Sequence, residues 1–181
     1  NQRLKVAEDE HAVFLSGNGP LVQVLQEALA RNRAIKNKTK KETALKETRA
    51  FIQNIHHFRD EYLKNSQAPT EKVVVFDEAQ RAWNQHQTSK FMSQKRGQSD
   101  FNQSEPEFLI EVMNRHQNWC VIVCLIGGGQ EINTGEAGLV AWMQALQSSY
   151  PDWQVHYSNL IVNQDNYLQD AAIKNWLSTT G

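Results

Sequence analysis

The sequence predicts an α/β fold with a mainly parallel sheet and helices on both faces. Short apolar runs typical of buried strands alternate with stretches whose apolar residues recur at helical spacing. Two of these runs, at residues 73–76 and 119–126, are continuously apolar, as expected for strands covered on both faces in a parallel sheet. The 181 residues suffice for one compact domain and are too few for two of ordinary size. We therefore predict a single domain over residues 1–181.

The first third of the chain predicts a strand, a turn and two helical stretches. Residues 11–16 form a short apolar run, and the turn residues Gly17, Asn18, Gly19 and Pro20 close it. Pro20 suits the first turn of a helix, and an apolar stripe at helical spacing follows it. Residues 32–41 are predicted to be a polar, Lys-rich connector. Residues 43–64 are predicted to form one long amphipathic helix.

The remaining elements follow in alternation. Residues 73–76 predict the central strand, and residues 80–84 predict a turn or short helix. Residues 85–103 are polar with few apolar anchors, which predicts the least structured part of the chain and a mobile loop. A helix is predicted to begin near Ser104, where a capping hydroxyl precedes early acids and a proline. Later segments predict a strand at 119–126, a helix at 138–147, a strand at 153–157 and a last helix at 167–177.

Asp77 and Glu78 are the strongest candidates for chemistry. They follow an apolar strand directly, and parallel sheets bind their ligands just beyond the carboxyl ends of the strands. Two adjacent acids at that point are typical of a Walker B or DExx box. One carboxylate then holds Mg²⁺, and its neighbour orients or deprotonates a water. The alternative is that two acids merely end a strand in solvent.

Two further candidate loops follow other strands. Gly127, Gly128 and Gly129 would let the backbone approach a phosphate, and Gln130 could bind a γ-phosphate or the attacking water. A flexible loop without a ligand is the alternative. Residues 16–19 offer free backbone N–H groups and an asparagine at a helix entrance, which suits an anion, although an ordinary tight turn before a helix explains them about as well.

One expected motif is missing from these residues. They contain no Gly-x-x-x-x-Gly-Lys-[Ser/Thr] loop, whose lysine and hydroxyl grip the phosphates and Mg²⁺. This stretch alone is therefore expected to bind nucleotide poorly or not at all. The sequence also begins at Asn1 without Met, which we interpret as a piece of a longer polypeptide.

Charge and cysteine content narrow the remaining classes. The net charge is −1, yet residues 31–49 carry eight Lys or Arg against two acids. Such a stretch suits contact with a polyanion, and equally a solvated helix face. Cys120 and Cys124 are expected to be inert reduced thiols, which indicates a cytoplasmic protein. No apolar stretch is long enough to span a bilayer, and no zinc site or membrane partner is expected.

Three motifs together resemble a known family. Residues 14–21 read FLSGNGPL, residues 74–83 read VVFDEAQRAW, and residues 125–138 read LIGGGQEINTGEAG. These resemble the P-loop domain of unknown function 2075, the Schlafen group 3 helicase-like type, a relative of superfamily 1 helicases. The resemblance covers most of the chain. It implies the middle part of a RecA-like P-loop NTPase core whose Walker A loop lies outside these residues.

The resemblance also implies roles for individual residues. Asp77 would coordinate Mg²⁺ and Glu78 would be the catalytic base. Gln80 would couple the nucleotide site to neighbouring motifs, and Gln130 would occupy the sensor position of motif III. Ser16, Gly17 and Asn18 would contact the nucleic-acid backbone.

Cofactors and partners follow from the same resemblance. The longer protein would use ATP and Mg²⁺ and act on DNA or RNA, whereas no tightly bound cofactor is expected on this piece alone. The alternative hypothesis is a non-hydrolysing module that binds nucleic acid or protein through the basic residues 31–49.

Overall fold

The computed structural model describes residues 11–127 and 136–180. Its strands are β1 (His11–Ser16), β2 (Ile52–Asn54), β3 (Glu71–Asp77) and β4 (Val121–Cys124). Its helices are α1 (Gly19–Asn37), α2 (Lys41–Phe51), α3 (Ile55–Tyr62), α4 (Gln85–Arg96), α5 (Glu105–Met113), α6 (Gly138–Ser149), α7 (Asn159–Asn163) and α8 (Ala171–Thr180). A 3₁₀ turn, Ala79–Arg81, begins one residue after β3.

The four strands form one sheet in the order β2-β1-β3-β4, and every pairing is parallel. The predicted fold class is therefore confirmed. The chain leaves β1 toward β2 on one side and later returns past β1 to β3 on the other. Because parallel crossovers are right-handed, these opposite movements place α1 and α2 on one face and α3 on the other.

The two faces of the sheet are buried to different extents. Val13, Leu15, Val74 and Phe76 share one face and are almost completely buried, since none exceeds 2 % exposure. The opposite face is less covered toward the β4 edge, where Val121 and Val123 are 43 % and 39 % exposed. The apolar residues of β4 on this face are therefore the most exposed part of the sheet.

The chain divides into two compact units. The first contains the sheet and runs through Glu78, with residues 112–125 returning to it; the second comprises residues 79–111 and residues from 126 onward. The second unit has its own buried apolar cluster. Its residues come from α6, α7, α8 and the segment between α7 and α8: Leu139, Met143, Ile161, Leu168, Ile173 and Leu177. The single domain inferred from chain length stays a prediction.

The predicted helix over residues 43–64 is wrong, because the structure interrupts it with β2. Ile52 has extended backbone angles and pairs with Phe14 of β1. The Asn54 side chain then accepts a hydrogen bond from the amide of His56, which caps a new helix, α3. A strand of three residues is too short to disturb the helical spacing of the apolar residues, so the pattern hid it.

Other predicted boundaries also need correction. The connector predicted at residues 32–41 is mostly helical, because α1 continues to Asn37 and ends where Lys38 turns left-handed. Residues 85–103, predicted to be the least structured part, contain α4, whose Met92 is fully buried. The mobility of that segment stays a prediction.

The strand predicted at residues 153–157 is absent from the described structure. Burial alternates there as the sequence pattern indicated, and Val155 and Tyr157 pack against the core of the second unit. No neighbouring strand pairs with this segment among the described residues, so it does not join a sheet.

Several local predictions are confirmed. Asn18 caps α1 by accepting from the amide of Leu21, and Pro20 lies in its first turn. The Ser104 hydroxyl accepts from the amide of Glu107 at the start of α5, as the capping pattern predicted. The 3₁₀ turn at Ala79–Arg81 overlaps the short helix predicted after the acidic pair.

The structure gives the state of the two cysteine thiols and the character of the described helices. Cys120 and Cys124 are free, and burial raises the pKa of Cys124 to about 12. At neutral pH its thiol is therefore protonated and a poor nucleophile. No helix in the described part of the chain has the length and apolar character needed to cross a membrane.

Candidate functional site

Three parallel strands end side by side at one edge of the sheet. Ser16, at the end of β1, is the register partner of Asn54 in β2 and of Asp77 in β3. Neighbouring strands lie about 4.8 Å apart, so these three residues form a continuous row. The chain passes from β1 to one side and places β3 on the other, which makes the gap between their carboxyl ends a topological switch point. Ligands of open α/β sheets bind at such a point.

Asp77 and Glu78 lie at this edge, as the sequence predicted for their position. Asp77 is the last residue of β3, and both acids are partly buried. Glu78 has φ 55°, in the left-handed region that residues with a side chain rarely adopt. Such strained backbone costs on the order of 1–3 kcal/mol and clusters at functional sites. The geometry turns the chain sharply at the second acid.

The turn after β1 differs in accessibility from residue to residue. Ser16 is fully buried, and its hydroxyl accepts a hydrogen bond from the amide of Asn18 at 3.2 Å. Gly17 and Asn18 are exposed, and Asn18 also caps α1. Ser16 thus shapes the turn from within. The surface that the turn offers to a ligand comes from Gly17 and Asn18. The contact with nucleic acid stays a prediction for all three.

Gly17 is not required by the fold. A Cβ atom added there would meet nothing within 4 Å, and its φ is not in the left-handed region. We expect Gly17→Ala to leave the free energy of unfolding unchanged or to raise it by up to about 1 kcal/mol, because alanine restricts the unfolded chain. Denaturant titration would measure it.

Gly97 provides the matched control for that substitution. It ends α4 with φ +66°, so Gly97→Ala should cost about 1–2 kcal/mol. Equal losses in the two variants would contradict the conformation described for the turn at Gly17. If Gly17→Ala weakens nucleic-acid binding while stability is unchanged, the loss of affinity indicates that Gly17 contacts the nucleic acid.

The second unit begins directly after Glu78 with residues Ala79–Trp83. We call these five residues the anchored segment. Gln80 is 5 % exposed, and its side-chain oxygen accepts from the amide of Gly127 at 3.4 Å. The Ala79 carbonyl accepts from the indole N–H of Trp142 at 2.8 Å, in a buried hydrogen bond. Gln80 therefore links the anchored segment to the start of the glycine loop. The coupling role that the resemblance implies for Gln80 stays a prediction.

Glu136 attaches the other end of the glycine loop to the same segment. Its carboxylate accepts from Nε of Arg81 at 3.1 Å, and its backbone forms an isolated antiparallel bridge with Trp83. The amide of Ala137 donates to the Ala82 carbonyl at 2.6 Å. Residues 127 and 136, which flank the loop, are thus both fixed to the anchored segment.

Part of the predicted site lies outside the described residues. Gly128, Gly129 and Gln130 fall in residues 128–135, so the structure gives no position for them. Gly127 is described and exposed. The predicted proximity of Gln130 to the acidic pair stays a prediction.

Sequence reasoning misses two anchors of this region. For Trp142 it predicts packing alone, since apolar spacing along α6 carries no sign that the indole donates to Ala79. For Glu105 it predicts a helix start, yet the carboxylate also accepts from the amide of Trp83 at 2.9 Å. Both contacts depend on chain segments far apart in sequence, which no local pattern reveals.

The residues at the sheet edge fit a magnesium ion only in part. Mg²⁺ is commonly held by one or two carboxylates, with water and substrate phosphates completing its octahedral shell. Asp77 supplies one such carboxylate at the switch point. No cluster of three or more His, Cys, Asp or Glu suited to a metal occurs in the described ranges. Magnesium binding at Asp77 stays a prediction.

The basic stretch forms an exposed surface on α1, α2 and their connection. Glu27 pairs with Lys41 and with Arg31, and these two hydrogen bonds hold the pKa of its carboxyl below the usual range. Arg33 pairs with Glu47 at 3.0 Å. The other five cations are exposed and have no carboxylate partner within the described structure: Lys36, Lys38, Lys40, Lys46 and Arg49. We call these five the basic surface.

Comparison with known proteins gives one result for nearly the whole chain. The sequence profile of the family described as Schlafen group 3, DNA/RNA helicase domain, matches residues 2–178. No curated protein and no solved structure matches the chain significantly. The parallel sheet with its acidic pair at the switch point agrees with the family match. The chain belongs to the Schlafen group 3 DNA/RNA helicase domain family.

Proposed function

We propose that this chain is the catalytic middle of a Mg²⁺-dependent ATPase that acts on DNA or RNA. The observation that carries the proposal is the acidic pair at the carboxyl end of β3, at the switch point between β1 and β3, with Glu78 in a left-handed conformation. Family membership over residues 2–178 supports it independently. Free, protonated thiols are consistent with action in the cytoplasm.

Each acid has a distinct proposed task. Asp77 would hold Mg²⁺, which neutralises charge on the phosphates when bound. The Glu78 carboxylate would orient a water molecule and accept its proton as the water attacks the γ-phosphorus, whose bond to the β,γ-bridging oxygen breaks to release ADP. The glycines at 127–129 would let the backbone approach the phosphates, and Gln130 would sense the γ-phosphate. Gln80 transmits the state of that loop through its contact with the Gly127 amide.

This chain does not supply every part that the reaction needs. Residues 1–181 contain no Gly-x-x-x-x-Gly-Lys-[Ser/Thr] loop. The proposal therefore requires a phosphate-gripping lysine from sequence outside these residues, and the isolated chain should hydrolyse no ATP. The decisive experiment replaces Glu78 by Gln in the full-length protein and measures turnover and nucleotide binding separately.

A second candidate function uses the basic surface without hydrolysis. Its five exposed cations lack carboxylate partners within the described residues, so they are available to phosphate oxygens of a nucleic acid. A groove of about 570 Å³ between α1 and α2 lies in the same region and is lined by Arg31 and Arg49 among others. Binding of this kind releases counterions and weakens steeply with salt.

Charge reversal tests this second candidate. We expect Lys36→Glu combined with Lys40→Glu to weaken binding of the chain to a single-stranded oligonucleotide by about tenfold or more at low salt. The slope of log affinity against log salt should become shallower by about 0.7 for each phosphate of the single strand that the protein no longer neutralises. Fluorescence anisotropy across a salt series measures both quantities.

Lys64→Glu combined with Lys90→Glu gives the same change of net charge away from the basic surface. This control should retain most of the affinity. Equal weakening by both pairs, or affinity independent of salt, would argue against a localised contact.

A further inference from the structure

The anchored segment combines two unusual features. It begins immediately after Glu78, whose backbone is left-handed, and its first carbonyl is bound by a tryptophan. Ala79 is fully buried and Trp142 is 4 % exposed, so water has little access to either partner. The Ala79 carbonyl also accepts from the amide of Ala82 at 3.3 Å within the 3₁₀ turn, so the indole is its second donor and the one that comes from another element. Solvent does not readily replace a hydrogen bond lost at a buried oxygen. The bond between Trp142 and Ala79 therefore constrains the backbone at the residue next to Glu78.

The other buried residues of α6 hold the helix in place but donate no hydrogen bond to Ala79. Leu139 and Met143 lie in the same helix and belong to the buried apolar cluster of the second unit. They hold α6 in place through apolar packing, and only the indole of Trp142 supplies a donor, because an indole N–H donates and cannot accept. A phenylalanine at position 142 would keep most of the apolar packing and remove that donor.

We propose that Trp142 is a positioning residue for Glu78 in the ATPase reaction; this inference rests on the proposed function. Strained backbone persists only where the surrounding structure over-determines it. Trp142 holds the Ala79 carbonyl, which belongs to the peptide between Ala79 and Gln80, so the chain is restrained one residue beyond Glu78. Trp142 thereby keeps the Glu78 carboxylate in the orientation that a general base requires.

The test is Trp142→Phe in the full-length protein, with steady-state kinetics for ATP. We expect kcat to fall about 10- to 100-fold, because a displacement on the order of 1 Å at a catalytic group has that effect. The KM for ATP should remain within about twofold, since Trp142 contributes nothing to ground-state binding of the nucleotide. Hydrogen exchange should accelerate in the peptide that contains residues 79–83.

Two controls separate positioning from general destabilisation. Trp176→Phe removes an indole from α8, where the side chain is partly buried, and should change neither kcat nor exchange at residues 79–83. Met143→Ala should lower stability through the same helix while leaving the donor of Trp142 intact. If Met143→Ala lowers kcat as much as Trp142→Phe at equal loss of stability, the role of Trp142 is structural and the inference fails.

The inference and the proposed function can fail separately. Turnover retained in Glu78→Gln overturns the proposed ATPase role and this inference with it. Turnover abolished in Glu78→Gln but unchanged in Trp142→Phe, with faster exchange at residues 79–83, overturns the inference alone. A reduced kcat with unchanged KM and normal behaviour of both controls supports it.

Discussion

Glu78→Gln in the full-length protein is expected to reduce kcat for ATP hydrolysis by about 10²- to 10⁴-fold, the usual contribution of a general base. The amide keeps the size and shape of the side chain and removes its ability to accept a proton. Nucleotide affinity should remain within about twofold, because the proposed task of Glu78 concerns the attacking water. Single-turnover hydrolysis and equilibrium binding of a labelled nucleotide measure the two effects independently.

The matched control is Glu61→Gln. Glu61 is exposed on α3, and the substitution makes the same chemical change away from the sheet edge. It should leave both turnover and nucleotide binding unchanged. Turnover that persists in Glu78→Gln would exclude Glu78 as the base, whereas loss of nucleotide affinity equal to the loss of turnover would indicate damage to the fold.

Phe76→Ala is expected to have the largest effect on stability, about 3–5 kcal/mol. Phe76 is 2 % exposed on the well-buried face of the sheet and lies opposite Leu15 of β1 and Cys124 of β4. Truncation would leave a cavity beside Asp77, near the carboxyl end of β3. A loss of this size is a large part of the stability of an ordinary domain, so the variant should be mostly unfolded near 37 °C.

The neighbouring residue offers a control in the same strand. Val75 points to the other face, where it is only partly buried, so Val75→Ala should cost about 1 kcal/mol. Urea denaturation of both variants, followed by circular dichroism, gives the comparison. Similar losses at the two positions would contradict the unequal burial of the two faces.

The sequence predicted the strands that carry the site because each is a distinct apolar run. Strands β1, β3 and β4 lie within or close to the predicted residues, and the two acids lie at the carboxyl end of β3 as expected. The three-residue strand β2 was hidden because Ile52 and Ile55 also fit the spacing of an amphipathic helix. The segment at 153–157 shows the reverse error, since its burial alternates as predicted but no strand in the described ranges pairs with it.

The position of the candidate site could be predicted from the sequence, but its detailed geometry could not. The parallel topology alone places Ser16 and Asp77 side by side, so the edge row followed from recognising the strands. The left-handed backbone of Glu78 could not be predicted, because nothing in the local sequence favours that conformation for glutamate. The anchors Trp142 and Glu136 depend on contacts between segments about 60 residues apart, which propensities and periodicity do not encode.

The outer strand β4 has a practical consequence for work with this chain. Its side chains Val121 and Val123 are exposed, Leu125 just beyond it is 44 % exposed, and β4 contains neither a charged residue nor a proline. Natural proteins commonly protect a terminal strand with lysine, proline or a covering element, since its free N–H and C=O groups can recruit a second chain. The purified protein is therefore expected to aggregate through β4 as its concentration rises. Dilute samples are preferable for binding measurements.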